Sequence, residues 1–247
     1  MSGHSKWSTI KRKKGAADSK RSKMFSRISK EITIAVKDGG SEPESNPRLR
    51  VAIANAKGVN MPKENIMRAI SKGEKDDAGL QETTFEGYLP NGIAVFIECL
   101  TDNNNRTVSN IRAIFNKKGG NLGTNGSLGY LFERKGVFQV PNTDRDPDEF
   151  QMEVIDAGVE DVDIVGDMFV ITTALEDFGS VQKRLEELGI EAENSELQRI
   201  PKETKMLSIP DSIKILKIIE DFEEDDDVQN VFHNLEVSEE VLTAIEG

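Results

Sequence analysis

The hydrophobic pattern of this chain changes character across the polar stretch EKDDAGLQET over residues 74–83. Before it, apolar residues recur only at helical spacing. After it, short strand-like runs alternate with helical ones. The first part must therefore bury helices against helices, and the second must build sheets covered by helices.

Three helices are expected in the first part. Phe25, Ile28, Ile32 and Ala35 mark one, ended by Gly39-Gly40. Asn46-Pro47 starts the next, with Asn as cap and Pro at the first helical position; Leu49, Ala52, Ile53 and Ala56 follow, and Gly58 closes it. Pro62 opens a third, with Ile66, Ala69 and Ile70 inward and Gly73 as its stop. Short connections make this a bundle. A helix-turn-helix with a basic recognition helix is one reading, and an ordinary bundle with Lys-rich solvent faces is another. The spacing marks no particular recognition helix.

In the second part, strands are expected over 85–88 and 93–100 around a Pro90-Asn91-Gly92 turn. A helix from Thr107 to Lys118 and a strand over 128–132 follow. The next segments read strand (136–140), helix (146–157), strands (162–165 and 168–173), helix (175–188) and strand (191–197). That order, β-α-β-β-α-β, is ferredoxin-like. Phe138 and Phe169 read as its core. A helix over 211–222, a strand over 228–232 and a final helix capped by Ser238 complete the chain. The expected class is α+β multidomain: a helical bundle over 1–76, a discontinuous α+β domain over 77–133 plus 205–247, and a ferredoxin-like domain over 134–204 inserted in it.

Charge follows the same division. The chain carries a net −12, yet residues 1–76 hold 18 Lys+Arg against 8 Asp+Glu, and the remainder holds 14 against 36. The first thirty residues have ten basic side chains and one acid, Asp18. Such a head can neutralise phosphates and release their counterions, while the acidic body repels a polyanion and orients the molecule head first. A solvated basic arm without a partner is the alternative. Residues 1–30 share the Ser and basic bias of a transit peptide, but no apolar h-region follows Met1, and the segment reads as part of the mature protein. The candidate nucleic-acid contacts are Lys6, Trp7, Lys11, Arg12, Lys13, Lys14, Lys20, Arg21, Lys23 and Arg27, with Arg48, Arg50, Lys63 and Arg68 on the bundle. Trp7 either stacks on unpaired bases or docks the arm. Asn105, Arg106, Lys117 and Lys118 form a secondary set. The run TDNNNRT over 101–107 caps a helix or reads bases through its amides.

Other chemistries find little support. One cysteine, Cys99, excludes an internal disulfide and any Cys-based zinc cluster. Two histidines, His4 and His233, stand at opposite ends of the sequence, so neither a multi-His metal site nor a Ser-His-Asp set is expected. GGNLGTNGS over 119–127 lacks the spacing of a nucleotide loop and leads from helix into strand, the reverse of the order such loops need. It reads as a tight turn, or as a nest of N–H groups touching a nucleic-acid phosphate. No enzyme, cofactor or metal is expected. The longest apolar stretch, 93–100, contains Glu98 and falls far short of the ~20 residues that span a bilayer, so no membrane partner is expected.

Four long segments carry a family resemblance: GHSKWSTIKRKKGAADSKRSKMFSRISKEI from Gly3, NPRLRVAIANAKGVNMPKENIMRAI from Asn46, FEGYLPNGIAVFIECLTDN from Phe85 and NRTVSNIRAIFNKKGGNLGTNGSLGYLF from Asn105. On these the chain resembles the YebC/PmpR family. It departs from the family at Arg12, often His there, and at Leu89-Pro90-Asn91-Gly92, often GPGG or similar. The resemblance implies a helical N-terminal domain with two α+β domains, one inserted in the other. It also implies nucleic-acid binding and control of gene expression in the bacterial cytoplasm. Two mechanisms follow from it: a DNA-binding transcriptional regulator at promoters, or a ribosome-associated translation factor that binds ribosomal RNA and relieves stalling at proline runs. The mitochondrial relatives resemble a translational activator of cytochrome c oxidase. Target sequence and oligomeric state stay open.

Overall fold

The computed structural model describes residues 18–75, 79–143 and 145–246. They form two compact units. One contains residues 79–133 and 200–246, the other residues 18–75 and 134–199.

The first unit is built on a hairpin. β1 (Gln81–Leu89) and β2 (Ile93–Thr101) pair antiparallel from Gln81↔Thr101 to Leu89↔Ile93. Asn91 and Gly92 make the turn at φ 62° and 69°. After α4 (Asn104–Lys117), the two-residue β3 (Asn121–Leu122) adds to the outer edge of β1. β8 (Val228–His233) pairs antiparallel with β2, giving the order β3-β1-β2-β8. Alternation of side chains gives this sheet two apolar faces. Phe85, Leu89, Val95 and Ile97 pack against Ile111 and Phe115 of α4, against Ile219 and Phe222 of α7 (Ile209–Glu223), and against Val241 and Leu242 of the C-terminal helix Glu239–Glu246. The rings of Phe115 and Phe222 lie 4.9 Å apart. On the other face Ala94, Phe96 and Phe232 are covered by Leu128 and Phe132. Cys99 is a buried core residue.

The second unit contains α1 (Asp18–Gly39), α2 (Pro47–Gly58) and α3 (Lys63–Glu74). Ile32, Val36, Leu49, Ala52, Ile66 and Ala69 form their core. Asn46 serves two helices at once. Its Oδ1 accepts from Leu49 N at 3.0 Å, capping α2, and its Nδ2 donates to Ala35 O and Gly40 O, closing α1. Gly73 does not stop α3 as the sequence suggests. It is buried inside the helix, where a Cβ would meet Thr33 O and Val36 Cβ at 2.7 Å, so its missing side chain sets how closely α1 and α3 approach.

The same unit holds a second sheet. β4 (Phe132–Pro141), β5 (Val159–Val165), β6 (Met168–Ala174) and β7 (Asn194–Pro201) lie in the order β5-β6-β4-β7. With α5 (Pro147–Val154) after β4 and α6 (Phe178–Glu187) after β6, this is the ferredoxin-like arrangement. Phe138 stacks on Phe178 and Phe169 on Phe150, all in its core. The strand expected over 128–132 does not form. Residues 129–131 make a single 3-10 turn, and one continuous strand runs from Phe132.

Inside this unit, α2 meets β7. The Asn55 amide pairs with the backbone of Ser195 in both directions: Nδ2 donates to Ser195 O at 2.8 Å, and Oδ1 accepts from Ser195 N at 2.7 Å. Asn55 thereby continues the ladder at the edge of the sheet, satisfying a donor and an acceptor that an edge strand leaves open. Three residues on, a Cβ on Gly58 would lie 2.4 Å from Glu193 O.

Candidate nucleic-acid interface

The expected arm contacts Lys6, Trp7, Lys11, Arg12, Lys13 and Lys14 lie outside the described residues. Lys20 falls on α1, but its side chain is also outside them. Arg21 is exposed on α1, and Lys23 and Arg27 are half-buried there. Positions 20, 23 and 27 recur at helical spacing, and the opposite side carries Phe25, Ile28 and Ile32 into the core.

The bundle candidates separate. Arg48 reaches two carboxylates, Glu31 and Asp38, each at 3.1 Å. These pairs are half in solvent, but both hold the guanidinium beside negative charge. Arg50 is half-buried on the same helix. α3 differs. Ile66, Ala69, Ile70 and Gly73 turn inward, and Lys63, Met67, Arg68 and Lys72 are exposed, with Lys75 just past the helix end. Lys63 and Arg68 thus lie on the solvent side of α3 with Lys72 and Lys75. Glu64 and Glu74 are its carboxylates. Lys72 and Lys75 follow Arg68 at the i+4 and i+7 spacing of one helix side.

The secondary set is divided by the fold. Asn103 caps α4, its Oδ1 accepting from Arg106 N at 3.1 Å, so the Asn-rich run serves as a cap. The Arg106 guanidinium is held by buried Asp227 at 2.7 and 2.9 Å and by Asp102 at 2.8 Å. Hydrogen bonding to Asp227, then to Asp102, raises its pKa above the ordinary arginine value. Asp227 also accepts from the hydroxyls of Thr101 and Thr107. Arg106 therefore neutralises a buried acid and ties the start of α4 to the segment before β8. Lys118 pairs with Asp221 at 2.5 Å. Asn105 and Lys117 are exposed.

The glycine-rich loop after α4 is organised by a residue the sequence reading passed over. Glu86 is buried on β1. Its carboxylate accepts from Gly126 N at 2.6 Å and Leu128 N at 2.5 Å, and its carbonyl accepts from Gly123 N at 2.7 Å. These three N–H groups already serve an internal acceptor, so they form no nest for a phosphate. The signal was an acid among the apolar residues of FEGYL, directly opposite Phe96 in the hairpin. Among the described residues no group of His, Cys, Asp and Glu is placed to hold a metal ion, and no helix is long and apolar enough to cross a membrane.

Comparison with known proteins agrees with a basic helical module joined to α+β modules. Residues 5–76 match the TACO1/YebC protein N-terminal domain, and residues 80–235 match the TACO1/YebC second and third domain. A probable transcriptional regulatory protein of Rubrobacter xylanophilus is 48% identical, covering all of both chains. One of Dictyoglomus thermophilum is 46% identical over 99% of this chain and all of that one. The crystal structure of a conserved hypothetical protein from Aquifex aeolicus superposes with a TM-score of 0.82 at 42% identity, over 89% of this chain and 91% of that one. The curated relatives carry the name of probable transcriptional regulatory proteins, and the solved one shares this α+β fold. The chain belongs to the TACO1/YebC family.

Proposed function

We propose that this protein is a nucleic-acid-binding regulator of gene expression, acting in the cytoplasm as a DNA-binding transcriptional regulator. The observation that carries the reading is the outward face of α3. It presents Lys63, Arg68, Lys72 and Lys75 to solvent, in a chain whose net charge is −12. Duplex phosphates are the simplest partner for such a face, and on this reading α3 approaches a groove. The sequence from Lys6 to Arg27 adds further positive charge. The names of the relatives support a role in transcription.

A second reading, ribosomal RNA as the target, draws on the same face. Apart from Asn65, Met67 and Ser71, its side chains are charged, so most of what it offers suits phosphates rather than base edges. Contacts of that kind position a protein on any phosphate backbone. In-cell crosslinking with sequencing of both bound DNA and bound RNA separates the two. Discrete promoter fragments, lost in Lys63→Glu/Arg68→Glu, are the expected result. A defined ribosomal RNA site without promoter peaks replaces the first reading with the second, and no head-dependent recovery of either sinks both.

A further inference from the structure

The acidic part of the chain contains one segment with the opposite character. Residues 103–132 carry Arg106, Arg112, Lys117 and Lys118 and not one Asp or Glu, and residues 87–97 carry no charge at all. The fold brings the two segments together at the hairpin end of the first sheet, where β3 lies along β1 through Tyr88↔Asn121.

The only two tyrosines of the chain are both here, and both are exposed: Tyr88 at 41% and Tyr130 at 67%. Tyrosine is ordinarily intermediate in burial, and the backbones of these two lead from one internal contact, Glu86 on Leu128 N. Tyr88 lies two residues beyond Glu86 on the same face of β1, and Tyr130 lies two residues beyond Leu128, whose N–H is bound by Glu86. Each is therefore two residues along the backbone from an end of that contact. Around them Asn91, Asn121 and Asn125 expose side-chain amides. Lys117 stands at the end of α4, just before Gly119, whose position is 3.9 Å from Pro90 of the hairpin turn when given a Cβ. Lys205 Nζ reaches the same turn, 3.2 Å from a Cβ placed on Gly92.

We infer that this hairpin end is a second binding surface, for unpaired RNA, with bases stacked on Tyr88 and Tyr130 and phosphates drawn to Lys117 and Lys205. Aromatic faces flanked by cations suit single strands, because a duplex keeps its bases stacked on one another. Amides that both donate and accept match base edges and the 2′-hydroxyl that DNA lacks. The surface adds to the nucleic-acid reading above and uses none of the head's residues.

The test is the affinity of the full chain for a fluorescent twelve-nucleotide uridine strand, read by anisotropy. Tyr88→Ala and Tyr130→Ala should each weaken binding about tenfold or more, the worth of one stacked base. Met152→Ala, an exposed apolar residue on α5, should leave binding unchanged. The melting temperature of each variant shows whether the fold is kept. Equal binding by the tyrosine variants, no binding by the parent chain, or equal affinity for the matching thymidine strand overturns the inference. Loss only in Lys63→Glu/Arg68→Glu assigns the strand to the head, which keeps the proposed function and removes this surface. Tyrosine-dependent binding beside a silent head does the reverse.

Discussion

A carboxylate buried on a strand needs donors, and Glu86 takes them from the loop that a motif search would reserve for phosphate. Leaving buried N–H groups unpaired costs more than an average hydrogen bond contributes. Glu86→Ala strips Gly126 N and Leu128 N of their acceptor and opens space beneath Leu128, which covers Phe96 and Phe232. The expected loss is about 3 kcal/mol of unfolding free energy, measured by denaturant titration. Glu86→Gln, which keeps one acceptor oxygen, should lose less. If both variants unfold at the parent midpoint, the loop is held by something other than this carboxylate. Asn46 shows the same economy, with one amide closing α1 and opening α2. Its capping role was legible in the dipeptide Asn46-Pro47. Its reach back to Ala35 O was not, because that contact spans eleven residues and depends on how two helices pack.

Among the elements, the ferredoxin-like order was readable because each strand and helix carries its own period and turn residues. What sequence periodicity missed were elements set by partners elsewhere. β3 is two residues long and exists because it meets Gly87 and Tyr88 across the strand edge. The strand expected at 128–132 yields to the turn that delivers Leu128 N to Glu86. Gly73 resembles a helix stop in sequence but acts as a close-approach point in space, and Gly58, which does end α2, is a close-approach point as well. Gly58→Ala must push a methyl against a backbone carbonyl that cannot swing aside, so it should destabilise the chain by about 1–3 kcal/mol, the scale of an overpacked site, in spite of alanine's better helix propensity. A gain in melting temperature would show that α2 does not sit against Glu193. β5 gives a pH dependence. Burial, and then repulsion from Asp163, raise the Asp161 carboxyl above its ordinary value. A raised carboxylate binds its proton more tightly folded than unfolded, so its ionisation penalises the fold at neutral pH, and stability recovers as pH falls through the raised value. Asp161→Asn should therefore raise the melting temperature at pH 7 by about 1 °C, the scale of a surface substitution. That gain should disappear at pH 3, where the parent carboxyl is protonated. A gain independent of pH would place its cause outside titration.

For the molecule as a whole, the separation of charge is the property that single residues and elements do not explain. Eighteen basic residues in the first seventy-six would be unremarkable beside an equal number of acids, but only eight stand with them. The fold then sorts these cations by use. Arg48 is turned toward Glu31 and Asp38, and Lys63, Arg68, Lys72 and Lys75 are left facing solvent. Binding through such a face releases counterions, and the number released is measurable. If the head meets about five phosphates of a duplex, log K should fall against log salt with a slope near −4.5, and near −3.5 for a single strand. Each of Lys63→Gln and Arg68→Gln should reduce that slope by about 1 and weaken binding alike across sequences, because phosphate contacts carry no base information. Arg48→Gln should change it less, since its charge is already shared with two carboxylates. A slope near zero removes the basic head as the binding element, whatever the affinity. A full slope that survives both α3 substitutions moves the contact from α3 to the arm before it.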